Sequence, residues 1–362
     1  MIETKMLKAK CKKTDRYFGL ELRNISGTWK VINMIDLDSK VADVIQSEVS
    51  QEYFDTNENL LPCKKCGSRR VGGCSCAKKA TKCRRQMDYN FQCIYCDELE
   101  IDYSLATGSL PYSKWAGVSN IPDAIKDKYG NPKGSEYDLI QDGALGKYTI
   151  VVLKLYKDFS FDAPEKALKK KGFKVVTYDT IPPLETLKSH LRSDQSQLWI
   201  VSNYYEMLSA PYIQFIKEYY ESGHGLYIWG DNQPYYADAN KILNLLFGVQ
   251  MYGNSDGDKV LGIQKKPFGP GIIANHKITT GIQNFYEGIT IAEILPNNKL
   301  TPLIYGSNGK IVTSYFDQDG RRALIDGGFT RLYHKWDSAG TDRYVVNAAA
   351  WLCNFEKFGY KQ

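Results

Sequence analysis

The sequence predicts an α/β protein: a parallel sheet flanked by helices, preceded by a small β-rich module. Three observations lead there. From Tyr148 onward, short apolar runs alternate with helical patterns, as in a parallel sheet buried on both faces. Seven of the nine cysteines fall between Cys63 and Cys96, in a region with few apolar residues. A stretch rich in Gly, Pro, Ser, Asn and Asp lies between these regions. The expected organisation is a β-rich module over 1–104, a linker over 105–146 and an α/β domain over 147–362.

In the first module, Lys8 to Lys13 reads as a strand that turns at Thr14-Asp15. Tyr17 to Leu22 and Thr28 to Asn33 alternate as two more strands. Ser39 to Val49 carries a helical pattern, and Phe91 to Tyr103 reads as a closing strand. The 105–146 stretch is long for a loop and is expected to lie along a surface, with one short helix near Ile121 to Lys128.

The α/β domain opens with a continuous apolar strand from Tyr148 to Leu153. Pro164 to Lys171 is predicted helical and stops at Gly172. A strand at Phe173 to Tyr178, a helix at Leu184 to Leu191 and a strand at Gln197 to Ser202 follow. Ala210 to Ser222 is predicted helical, ended by Gly223. Gly225 to Gly230 is the fourth strand, and Tyr236 to Phe247 the helix after it. Residues 271–325 are richer in strand, and Asp342 to Phe355 is a closing helix.

The 362 residues are 43% hydrophobic and 24% charged, the balance of a globular chain with room for one large core and a small one. No apolar run reaches the roughly 20 residues of a membrane span. The N-terminus lacks the apolar stretch of a signal peptide, so the expected location is the cytoplasm, with no membrane partner. The net charge of +6 is mild. Its excess is local: Lys64, Lys65, Arg69, Arg70, Lys78, Lys79, Lys82, Arg84 and Arg85 sit among the cysteines. These charges either solvate the loop and offset its thiolates or form a surface for phosphates, which leaves nucleic acid as a candidate partner.

Cys63-Lys-Lys-Cys66-Gly and Cys93-Ile-Tyr-Cys96 are two C-x-x-C pairs. Each pair can form a knuckle with backbone amides pointing at its thiolates, and two knuckles give the four sulfurs of a tetrahedral zinc site. Cys74, Cys76 and Cys83 lie between the pairs and suggest either a second site short of one ligand, for which Cys11 is the candidate, or a C-x-C that donates into a shared cluster. Four-sulfur sites are closed and structural, and this module has no histidine, so the zinc is expected to stabilise the fold and not to catalyse. The order strand, C-x-x-C-G, C-x-C, C, C-x-x-C resembles the metal-binding domain at the C-terminus of von Willebrand-type tellurite-resistance proteins. That resemblance covers about residues 8–103. It implies a zinc-binding interaction module, with protein partners, in a bacterial stress or defence system.

The region from Tyr148 to Phe355 resembles the class I glutamine-amidotransferase-like domains of flavodoxin-type fold, in their trehalose-utilisation and GIFT-type branches. Three places carry the resemblance: the helix from Tyr212 running into Gly225-Leu-Tyr-Ile-Trp-Gly230-Asp231-Asn232, the phrase Asn275-His276-Lys-Ile-Thr-Thr-Gly281, and Asn347-Ala-Ala-Ala-Trp351-Leu. In amidotransferases the turn after the fourth strand carries a nucleophilic cysteine. Here that turn reads Gly230-Asp231-Asn232-Gln233, without Cys or Ser, and Cys353 lies in the last helix. Glutaminase chemistry requires an activated thiolate, so it is not expected.

The carboxyl ends of the strands remain the natural ligand crevice of an open α/β sheet. Asp231, Asn232, Tyr235, Tyr236 and Asp238 gather after the fourth strand; Arg331, Trp336, Asp337 and Arg343 form a second polar and aromatic block. One reading is a pocket for a small polar molecule; the other is ordinary capping, turns and core filling. Asp231, Asp326 and His276 are the candidate catalytic groups, with the two carboxylates able to act in acid–base work or on Mg²⁺. The expected function is zinc-dependent folding with ligand or partner binding and no catalysis. The alternatives are a hydrolase of a sugar- or nucleotide-like substrate working through Asp231, and nucleic-acid binding through the basic loop.

Overall fold

The computed structural model describes residues 4–11, 16–25, 28–36, 72–73, 87–88 and 110–360. The chain forms two compact units: residues 1–110 with 355–360, and residues 111–354 with 361–362. The boundary therefore falls between Leu110 and Pro111, and most of the expected linker belongs to the larger unit.

In the first unit, β1 (Thr4–Cys11), β2 (Arg16–Ile25) and β3 (Thr28–Asp36) form an antiparallel meander. The two-residue strands β4 (Gly72–Gly73) and β5 (Met87–Asp88) extend it, giving the order β3-β2-β1-β5-β4. Strand β5 runs parallel to β1, with Ala9 opposite Met87 and Lys10 opposite Asp88. Cys11 ends β1, opposite Arg16. The other expected zinc ligands, Cys63, Cys66, Cys74, Cys76, Cys83, Cys93 and Cys96, lie outside the described residues, as do the expected helix at 39–49 and the strand at 91–103.

The larger unit is an α/β fold. Strands β6 (Thr149–Lys154), β7 (Lys174–Tyr178), β8 (Ser196–Val201) and β9 (Gly225–Trp229) alternate with helices α1 (Asp162–Lys170), α2 (Leu184–His190) and α3 (Ala210–Glu221). Helix α4 (Ala237–Phe247) follows β9, and its chain reverses at Gly248 with φ 67°. Then come β10 (Met251–Asp256), β11 (Val260–Gly262), β12 (Gly271–Ile272), β13 (Asn284–Tyr286) and β14 (Thr290–Ile294). Strands β15 (Thr301–Tyr305), β16 (Ile311–Gln318) and β17 (Arg321–Asp326) precede helix α5 (Thr341–Leu352). A last turn, α6 (Phe355–Phe358), is assigned to the first unit.

Eight strands form one sheet in the order β12-β15-β16-β17-β9-β8-β6-β7. The run from β17 to β7 is parallel, and β12, β15 and β16 extend it antiparallel. The pairs β10–β14 and β11–β13 form two separate two-stranded ribbons, and Met251, Ala292 and Ile294 of the first pack into the core of the main sheet.

Strand geometry sends alternate side chains to opposite faces. Val151, Leu153, Leu198, Ile200, Leu226, Ile228, Ala323 and Ile325 share a core with Leu187 of α2, Ile216 of α3 and Leu243 of α4. Their neighbours Ile150, Val152, Trp199, Tyr227 and Leu324 are equally buried. On that face the Tyr227 hydroxyl donates to the Tyr344 hydroxyl of α5 at 3.0 Å. Burial on both faces explains the unbroken apolar runs of the sequence. Among the described residues, no helix is long and apolar enough to cross a membrane.

The segment 111–146 buries Ile121, Leu139, Ile140 and Leu145 in the larger unit. The expected helix near Ile121 to Lys128 does not form. Instead Asp127 Oδ1 accepts the amides of Tyr129 and Asn131 at 2.8 and 2.9 Å, a side-chain turn that competes with helical bonding.

Candidate functional site

Strands β6, β8, β9 and β17 end in register, with Lys154 opposite Val201, Val201 opposite Trp229, and Trp229 opposite Asp326. Their carboxyl ends form one edge, where open α/β sheets place their ligands. After β9 the chain turns sharply through Gly230, Asp231 and Asn232, and the Gln233–Pro234 peptide is cis. A Cβ at Gly230 would lie 2.5 Å from Met251 Sδ, so any larger residue there would have to displace the Met251 side chain.

Asp231 is fully buried. Its Oδ1 accepts from the Asn232 amide at 2.8 Å and the Thr290 hydroxyl at 2.5 Å, and its Oδ2 accepts from the Thr330 amide at 3.1 Å. Burial raises its pKa to about 6, against the opposing effect of those hydrogen bonds and of Arg331.

Asp326, at the end of β17, is also fully buried. Both of its oxygens accept from Arg331 Nη1, at 2.5 and 2.6 Å. The Tyr344 hydroxyl adds a third bond at 2.6 Å and the Gly328 amide a fourth at 3.0 Å. Burial raises the Asp326 pKa, and the Arg331 guanidinium opposes it. Arg331 Nε and Nη2 donate to the Glu287 carbonyl, and its guanidinium lies 4.8 Å from the Phe285 ring. Gly328 makes the approach possible: a Cβ there would stand 2.4 Å from Arg331 Nη2. The carboxylates do come together at one edge, but their lone pairs are spent inside the protein.

Above them lies a row of aromatic rings. Tyr204 and Tyr205 follow β8 with ring centroids 4.7 Å apart. Tyr204 meets Tyr235 at 6.1 Å, and Tyr235 meets Tyr156 at 5.2 Å. Tyr156 lies 6.2 Å from Phe159, which stacks on Tyr333 at 4.7 Å. Phe329 supports the row from below, 5.3 Å from Tyr156 and 2% exposed. Tyr204, Tyr205 and Tyr333 are 54%, 49% and 37% exposed, so the row is a surface and not a sealed core.

The remaining expected ligand residues divide among several roles. Asn232 Nδ2 donates to Asn254 Oδ1 at 2.9 Å on the surface. Tyr236 is the residue before α4. Asp238 is buried and accepts the amides of Met207 and Leu208, which ties the Tyr204–Tyr205 loop to α4. Trp336 is half-buried.

Asp337 and Arg343 lie elsewhere, in a cleft of about 390 Å³ with Asp127, Asp138, Lys171 and Asp342. There Arg343 Nε meets Asp138 at 2.6 Å, and burial followed by the neighbouring Asp337 raises the Asp342 pKa to about 6. His276 does not reach the carboxylates. It packs against Tyr315 at 4.5 Å and Trp351 at 5.5 Å, and its Nδ1 accepts the Ile278 amide at 3.2 Å. Cys353 lies near the opposite edge of the sheet, its Sγ 3.6 Å from Nε2 of Gln197, the second residue of β8. Among the described residues no group of three or more His, Cys, Asp or Glu side chains is placed to hold a metal ion.

Tyr156, Tyr204, Tyr205, Phe329 and Tyr333 were not among the expected ligand residues. The tandem Tyr204-Tyr205, three residues past the end of a fully buried strand, is the sequence signal that points to this edge.

No protein-family model and no curated protein matches the sequence. Among solved structures the chain is similar to the mmIFT52 N-terminal domain, at 12% identity and a TM-score of 0.43 over 56% of this chain and 97% of that one. It is similar to the cytoplasmic protein STM1381 from Salmonella typhimurium LT2, at 13% identity and a TM-score of 0.39 over 59% of this chain and all of that one. A third likeness is to the exo-beta-1,4-mannosidase Op5Man5 from Opitutaceae bacterium strain TAV5, at 10% identity and a TM-score of 0.34. It covers 56% of this chain and 36% of that one.

Proposed function

We propose that this chain is a cytoplasmic binding protein without catalytic activity, whose larger unit docks a partner protein through the tyrosine row at the carboxyl edge of its sheet. One observation carries the reading. Asp231 and Asp326 are fully buried and hydrogen-bonded, while Tyr204, Tyr205 and Tyr333 face solvent above them. Tyrosine suits this role because a rigid ring with a polar tip offers contact area at a small entropic cost.

The first unit is an interaction module stapled by zinc through Cys63, Cys66, Cys93 and Cys96. A second ion is held by Cys74, Cys76, Cys83 and Cys11. Thiolates in paired C-x-x-C spacing are the donor set that tetrahedral zinc takes, and this supports the assignment. The cysteine order supports a place in a bacterial stress or defence system of the tellurite-resistance kind. The larger unit is an amidotransferase-like domain that lacks the nucleophile, with Asp231 at the elbow position.

The test is crosslinking and mass spectrometry on the full chain in its host cell, beside Y204A/Y205A/Y333A. Partners that crosslink to the carboxyl edge and are lost in the triple variant support the reading. Partners retained at undiminished yield overturn it. A second reading, hydrolysis through Asp231, is favoured by a carboxyl whose pKa of about 6 suits proton transfer near neutrality. Turnover of chromogenic glycosides or nucleotide esters that disappears in D231N would establish that reading instead.

A further inference from the structure

A second cavity, of about 490 Å³, lies away from the tyrosine row. Its size falls in the range of small-molecule sites, about 300–1,000 Å³. The half-buried rings of His276 and Tyr315 form an aromatic wall backed by the buried Trp351, with every pair of rings within 6 Å: 4.5, 5.5 and 5.9 Å between centroids. Asn275, Thr301, Asp317 and Gln318 also line the cavity, and all four are exposed. Amides, a hydroxyl and a carboxylate thus surround a wall of rings.

The wall is held from behind. Arg322 lies 5.0 Å from the Trp351 ring, donates from Nη1 to the Trp351 carbonyl at 3.0 Å and meets Asp317 Oδ1 at 3.1 Å. The His276 ring is fixed by the Ile278 amide on Nδ1, which leaves Nε2 as its protonated nitrogen. Burial, then Arg322 and Lys277, lowers the His276 pKa to about 4, so the ring is neutral near pH 7. The loop carrying Ala116 and Gly117 is pinned to the same region, with the Gly117 amide on Thr280 Oγ1 at 2.9 Å and Ser119 Oγ accepting the Asn275 amide at 3.0 Å. Asn275 takes the left-handed conformation, φ 61°, which asparagine tolerates better than most residues.

We propose that this cavity binds a neutral hexopyranose ring, free or at the end of a longer saccharide. The C–H face of such a ring packs on an aromatic surface, and its hydroxyls need donors and acceptors close together around the rim. Tyr315 supplies the stacking face. Asn275 and Gln318 offer both donors and acceptors, Asp317 accepts, and Thr301 does either. Lys277 and Asp317 line the cavity with opposite charges, and Asp317 is further paired with Arg322, so the site favours a neutral ligand over an anion or a cation. This site stands apart from the tyrosine row, so it survives or fails independently of partner docking there.

The experiment is ligand-detected saturation-transfer NMR on the full chain. Glucose, galactose, mannose, maltose and cellobiose are the probes, and adenosine and uridine the comparison, each up to about 10 mM, above the range of a weak site. Binding of at least one saccharide is expected, with Kd weakened about tenfold in Y315A, the loss of one aromatic contact. T301A/Q318A, confined to exposed positions, is expected to weaken it similarly with the fold intact. Y333A, on the tyrosine row, is expected to leave it unchanged. Binding by a disaccharide alone places the ring at a chain end; binding by a monosaccharide makes the free sugar sufficient. Absence of saccharide binding in the folded wild type, a preference for the nucleosides, or saccharide binding undiminished in T301A/Q318A overturns the proposal.

Discussion

Arg331 and Asp326, five residues apart, form an ion pair with no solvent exposure on either side chain, Nη1 standing 2.5 Å from Oδ1. Removing one member strands the other in a medium that cannot solvate it. R331M is therefore expected to cost about 3–5 kcal/mol in urea unfolding of the full chain. R331M/D326L is expected to cost less than the sum of its two single changes, because it leaves no orphaned charge. Additive losses would show that the pair is not coupled.

Asp231 gives a pH signature of defined sign. Its folded pKa, raised to about 6, lies above the ordinary 3.8, so the native state holds the proton more tightly than the unfolded chain. The resulting stabilisation is fully present below about pH 4 and is lost as the pH rises through 6, amounting to about 3 kcal/mol. The stability of wild type relative to D231N is expected to fall by most of that amount between pH 4 and 7. Parallel stability curves for the two proteins over this window would show that Asp231 titrates normally.

The tyrosine row separates recognition from folding. Tyr204 and Tyr205 are about half exposed, so Y204A/Y205A is expected to shift unfolding by less than about 1 kcal/mol. The same change is expected to remove at least about tenfold in affinity for whichever partner crosslinks to this edge, as loss of an aromatic anchor does. A stability loss as large as that of R331M would mean that these rings serve the core.

Zinc removal is expected to act on the first unit alone. Elemental analysis of the full chain is expected to find zinc, and C63S/C93S to lose the ion of the paired C-x-x-C site. C11S is expected to spare that ion and lower the total. Protein that is free of zinc, with thiols open to alkylation, would end the metal assignment.

The parallel half of the larger unit is legible in the sequence because each signal is local. Val151 to Leu153 and Leu198 to Val201 are apolar on both faces, and Gly172 and Gly223 take φ 102° and 98° where the helical patterns stop. The antiparallel extension is legible only as strand content, since its order depends on pairings across the sheet. The role of Asp138 is not legible at all. Its partners Lys171 and Arg343 stand far along the chain, and only the folded unit brings the three charges together. At the site, the polarity of the Asp231 turn is readable, whereas its burial is not. Thr290 and Thr330, which occupy its oxygens, look like ordinary strand and turn residues.

Arg343 and Asn347 set the timetable of synthesis. Arg343 donates to Asp138 and to the carbonyls of Pro132, Gly134 and Gly281; Asn347 accepts the Leu139 amide and donates to the carbonyls of Ile278 and Thr280. The Asp138 and Leu139 contacts span 205 and 208 residues. Lys171 can meet Asp138 earlier, but the Leu139 amide finds Asn347 only once α5 emerges, so the 111–146 segment completes its docking only then. A nascent chain of this protein therefore carries the Tyr227 face of its sheet without α5 until translation is nearly complete, and that interval is when it would most need a chaperone.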